Sequence, residues 1–129
     1  MRSVIFLVVF SAIGCGGKPA VPSIAEISGT VNLDGQPLAD GYMYFKTVET
    51  GVIERFDISN GEFKGKAQIG PRRVEIICNR PKMTFIYGKN VEIADNIIDP
   101  AFNLESTLTA DVTAEGPNRF TFDVKKKQD

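Results

Sequence analysis

From Glu26 onward the chain alternates apolar and polar residues in short runs cut by turn-forming residues, the period-two pattern of half-buried β-strands. Glu26 to Leu33 places Ile27, Val31 and Leu33 on one face, with Glu26, Ser28, Thr30 and Asn32 opposite. Asp34-Gly35-Gln36-Pro37 ends that run, because Gly accepts positive φ and Pro cannot continue a ladder. Gly41 to Thr47 predicts the returning strand, with Met43 and Phe45 on one side and Tyr42 and Tyr44 on the other. Val52 to Ile58 and Glu62 to Ala67 flank Ser59-Asn60-Gly61, where Asn-Gly favours a type I′ hairpin turn.

The second half continues in the same way around one irregular stretch. Arg72 to Cys78 predicts a strand behind the Gly70-Pro71 break. Cys78 falls in phase with Val74 and Ile76, which makes it a small core residue rather than a reactive thiol. Asn79 to Asn103 predicts a long connection: Arg80-Pro81-Lys82 stops the strand, Thr84 to Tyr87 forms a short edge strand, and Gly88-Lys89-Asn90 turns the chain. Such a connection is a surface crossover or a binding loop. Ser106 to Thr113 aligns Leu108, Ala110 and Val112, Glu115 to Asn118 turns back, and Arg119 to Lys125 aligns Phe120, Phe122 and Val124. With no helical periodicity, the expected fold is all-β: one antiparallel β-sandwich of about seven strands.

The segment before this pattern has a different character. Arg2 precedes a mostly apolar run that is too short to cross about 30 Å of hydrocarbon and has the form of a secretion signal. The run ends in Ala12-Ile13-Gly14-Cys15, which resembles a bacterial lipoprotein lipobox. That resemblance implies acylation of Cys15, which becomes the mature N-terminus. The expected organisation is a signal peptide over 1–14, a flexible tether over 15–25, the sandwich over 26–125 and a tail over 126–129. Two or more acyl chains, at ~0.8 kcal/mol per buried methylene, supply on the order of 20 kcal/mol of membrane affinity. The expected location is therefore the bacterial cell envelope, anchored by lipid at a periplasmic or outer-membrane face.

Charge and chemistry narrow the function classes. Fifteen basic and 16 acidic residues give a net charge of -1, with no electrostatic footprint for nucleic acid. The chain has no histidine, which removes the commonest general base and metal ligand, so neither an enzyme nor a cofactor or metal site is expected. Asp57 to Glu62 has a passing likeness to a calcium loop but lacks its spacing and reads as a hairpin turn. The dispersed Asp34, Asp40, Asp95, Asp99 and Asp111 imply no paired-carboxylate glycosidase. Tyr42, Tyr44, Phe85 and Tyr87 are candidates for a ligand or partner surface, against the competing reading of edge-strand packing. Lys125-Lys126-Lys127 reads as a solvated terminus.

Three blocks carry a further resemblance. Ile27 to Gly41, with its Ser28-Gly29-Thr30-Val31 strand and Asp34-Gly35-Gln36-Pro37-Leu38 turn, resembles the opening of carboxypeptidase regulatory-like and transthyretin-like domains. Asn60-Gly61-Glu62-Phe63 followed by Ile69 to Ile76 is similar to the middle of the same family. Ile97 to Asn103, Ser106-Thr107-Leu108 and Asn118 to Val124 resemble the ending of small planctomycete-type lipoproteins. The resemblance implies a transthyretin-like (prealbumin-like) sandwich and names no catalytic residue. Its motifs are turns and core alternation, which specify fold far more than function. The expected function is a non-enzymatic structural or protein-interaction module held at a membrane, its partner an envelope protein. The alternative is a carbohydrate-binding module that takes an envelope glycan on exposed aromatics.

Overall fold

The computed structural model describes residues 23–128. Cys15, the signal segment and most of the expected tether lie outside them. Ten strands follow in order: β1 (Ile24–Leu33), β2 (Gln36–Pro37), β3 (Asp40–Lys46), β4 (Ile53–Ser59), β5 (Glu62–Gln68), β6 (Gly70–Ile77), β7 (Asn79–Ile86), β8 (Lys89–Asn96), β9 (Thr109–Val112) and β10 (Asn118–Val124). Among the described residues the only helical segment is a 3-10 turn at Pro100–Phe102, where the Asp99 side chain accepts from the Ala101 amide.

The main sheet runs β10-β1-β5-β4-β3-β6-β9, with β2 paired to β1. It curls on itself into a half-barrel of sandwich-like form, as the strand pattern predicts. The fold-over lies between β5 and β4, which share only the pair Ser59↔Glu62 beside their turn. Phe45 on β3 meets the ring of Phe120 on β10 at 6.2 Å although the two strands are not neighbours, which places the two layers face to face. Ile27, Val31, Phe63, Phe122 and Val124 of one layer close on Met43, Phe45, Phe56, Val74 and Ile76 of the other. At about 25 cal/mol per Å² each large side chain contributes a few kcal/mol, and this single core dominates stability.

One departure from an all-antiparallel sandwich is the β1–β10 pair, which is parallel from Ile27↔Asn118 to Leu33↔Val124. The cause is geometric. Direction reverses at every step from β1 through β5, β4, β3 and β6 to β9, and the short return into β10 leaves it with the sense of β1.

The larger departure is the expected irregular connection. Asn79 to Asn96 is instead a regular hairpin in register from Asn79↔Asn96 to Ile86↔Lys89, and it pairs with no strand of the main sheet. Pro81 does not stop the strand because each strand of an isolated pair has a free edge, where a missing N–H costs no ladder bond. Strand β1 also begins at Ile24, inside the expected tether, and the expected tail contributes structure: Ile98 bridges Lys126, and the Lys127 amide donates to Ile97.

Candidate functional site

The outer face of β3 positions the first two predicted aromatics. Cross-strand register sets Tyr42 beside Asp57 and Tyr44 beside Arg55 on β4, and Tyr44 beside Glu75 on β6. The two tyrosine rings meet edge to face at 5.5 Å. The Arg55 guanidinium lies 4.0 Å from the Tyr42 ring centre, and the Lys46 ammonium 5.7 Å from that of Tyr44. Cation–π attraction of this kind holds both rings in place.

Glu75 anchors this row. It is only 5% exposed, and its charge is matched by Lys46 at 2.9 Å and Arg73 at 3.5 Å. Arg73 in turn donates to the backbone oxygens of Leu104 (2.8 Å) and Ser106 (3.1 Å), tying the sheet to the loop before β9. Asn103 in that loop donates to the Ile98 and Asp99 carbonyls, and Ser106 donates to Val74. Asn118 receives the Thr113 amide and donates to Glu26 and Thr113 oxygens, joining the loop before β10 to β1. Asn103, Ser106 and Asn118 are thus buried side chains that clasp backbone groups.

Phe85 and Tyr87 stand elsewhere, at the tip of the β7–β8 hairpin, 70% and 100% exposed. The four predicted aromatics therefore occupy two separate sheets rather than one platform. The hairpin base is clamped by Arg80, which donates to Asp40 at 2.6 Å, and by Lys127, which donates to Asp95. Hydrogen bonding to Asp40 raises the Arg80 pKa, and hydrogen bonding from Lys127 lowers that of Asp95. Beneath the clamp, Cys78 is fully buried, as its phase predicts. Burial pushes its thiol pKa up, against the pull of Arg80, and that disfavours the nucleophilic thiolate.

A second surface was not foreseen. Where β4 and β5 part, an open cleft of about 1110 Å³ forms, with Phe56, Phe63 and Phe120 behind it and Arg55, Asp57, Lys64 and Arg119 at its rim. The Cδ1–Cε1 edge of the Phe56 ring packs against Gly65, where any Cβ would stand 2.5 Å from the ring. The sequence signal is a Gly inside each neighbouring strand, Gly29 and Gly65, which marks close approach of another group.

Among the described residues no group of three His, Cys, Asp or Glu is placed to hold a metal ion, and no helix is long and apolar enough to cross a membrane. Compared with known proteins, the chain matches no family model, no curated protein and no solved structure.

Proposed function

We propose that this protein is an exported, lipid-anchored and non-enzymatic β-sandwich of the bacterial cell envelope that works as a structural or protein-interaction module. The observation that carries the interaction reading is the β4–β5 cleft. Facing strand edges that share one register pair leave backbone donors and acceptors without a ladder, the feature an extended segment of a partner protein uses when it adds as a strand. The aromatic floor supplies apolar contact and the charged rim supplies register. The lipobox resemblance at Ala12 to Cys15 supports the anchor. The chain enters β1 at Ile24, beside Gln68, at the end of the sandwich opposite the hairpin base.

The test has two independent arms. Intact mass of the native protein reads the anchor: a chain that starts at Cys15 and carries diacylglycerol supports it, and an unmodified chain that begins elsewhere refutes it. Photo-crosslinking residues placed at Asp57 or Lys64 in cells read the cleft. A discrete protein adduct from these positions, and none from Glu115, which does not line the cleft, is expected. Equal labelling from all three would refute a cleft-specific partner.

A further inference from the structure

The hairpin carries an inference that stands apart from the cleft and from acylation of Cys15. Cross-strand register puts Ile86, Val91 and Ile93 on one face and Pro81, Met83, Phe85 and Ala94 on the other. Both faces of the distal half therefore carry exposed apolar side chains, beside Thr84 and Lys89 on the first face and Asn90 and Glu92 on the second, and Met83, Phe85, Ile86 and Tyr87 are all exposed. A docked protein covers one face of a hairpin, whereas a fluid apolar medium surrounds it.

The turn adds a second observation. Among the described residues three two-residue turns have both central residues at positive φ: Asp34-Gly35, Asn60-Gly61 and Tyr87-Gly88. Asp and Asn tolerate that conformation, and a bulky aromatic does not adopt it readily. At the tip alone the first position is an aromatic, Tyr87, whose φ is 50° and whose side chain touches nothing that would hold it there. Strain kept at a fully exposed ring points to a use for the ring. Charge supplies a third. Lys82 and Lys89 lie on the same face as Ile86 with no carboxylate between them along the chain, and the nearest one, Glu92, stands opposite Met83 on the other face.

We propose that the tip of this hairpin, from Met83 to Val91, inserts into the interfacial layer of a lipid bilayer with a preference for anionic headgroups. Phe85 and Ile86 enter the acyl boundary, Tyr87 sits at headgroup level, and the Lys82 and Lys89 ammonium groups reach back to lipid phosphates. The unpaired outer edges of β7 and β8 limit the depth, because hydrocarbon cannot satisfy their backbone groups. At about 3.3 Å per residue, an insertion of about 5–10 Å takes two or three residues of each strand.

The chain has no Trp, so Phe85→Trp gives the full-length protein a single reporter in the tip. Its emission is read with vesicles of two parts phosphatidylcholine to one part phosphatidylglycerol, some carrying bromine near the top of the acyl chain. A blue shift and quenching by the shallow bromine are expected, with the apparent affinity falling about tenfold on pure phosphatidylcholine. Lys82→Gln with Lys89→Gln removes that preference, and Tyr87→Asn weakens insertion while raising the melting temperature. The reporter reads the tip itself, so vesicle attachment through an acyl chain alone leaves it at its water value. Emission that stays at the water value on both vesicle types overturns the proposal. So does a blue shift that needs no vesicles and grows with protein concentration, which would make a second copy the occupant.

Discussion

The sandwich body and the β7–β8 hairpin are built from the same alternation and the same turn chemistry, yet they dispose of their apolar residues in opposite ways. In the body, Phe45 is fully buried among Phe56 and Phe120. In the hairpin, Phe85 sits two residues from a turn with most of its surface in solvent. Alternation places side chains on faces; only a second layer buries a face. The body has that layer because the sheet folds over at the β4–β5 splay, whereas the hairpin leaves the fold at Asn79 and returns at Asn96 without pairing with another sheet. An isolated two-stranded hairpin is marginal in water, and this one depends on its turn and on the ion pairs at its base.

The comparison is broken most forcefully by truncating the same residue type in each region. Phe45→Ala should cost about 3–5 kcal/mol, whereas Phe85→Ala should change stability by less than about 0.5 kcal/mol. Urea unfolding with a shared slope measures both, and a large loss from Phe85→Ala would mean that the hairpin packs on the body. Next comes the clasp that holds the loop before β9 on the body. Asn103→Ala strands the Ile98 and Asp99 carbonyls and the Leu104 amide, and should cost about 2 kcal/mol by the same assay.

These two predictions also mark how far the sequence could be read. Ile27, Val31, Met43, Phe45, Phe122 and Val124 were legible as core because period two and a buried face coincide in β1, β3 and β10. Asn60-Gly61 was legible as a type I′ turn because its residue types favour the φ values it adopts. Pro81 hides the hairpin, since a proline stops a central strand but not a free edge, and sequence does not say which strands have neighbours. Tyr87 hid its own turn for a related reason: nothing in its type favours positive φ. Tyr42 and Tyr44 were legible as an outward pair, but the cations over them depend on register across three strands. The cleft depends on how far β4 and β5 diverge, a property of the closed sheet and not of either strand.

Smaller effects sharpen the contrast inside the hairpin. Tyr87→Asn relieves the positive-φ cost and should stabilise the protein by about 1 kcal/mol, visible as a higher midpoint in thermal unfolding. A neutral or lower midpoint would remove the strain argument. The smallest effect is a pH dependence at the base. Lys127, donating to Asp95, lowers the carboxyl pKa of Asp95 in the folded protein. Its stabilising contribution is therefore complete above the ordinary carboxylate range and is lost as the pH falls through the depressed value. Amide exchange at Arg80 and Asn96 should accelerate over that acid window in the native protein and lose this response in Asp95→Asn.

The contrast between a closed body and an open arm is tested most directly by residue-resolved hydrogen exchange of the full-length protein, in water and on vesicles containing phosphatidylglycerol. In water, the amides of Thr84 to Val91 should exchange by local opening, at least about a hundredfold faster than those of Val31, Phe45 and Ile76. On vesicles the tip amides should slow while the body amides stay unchanged. Tip amides as protected in water as Phe45, or equally fast with and without vesicles, would contradict the account.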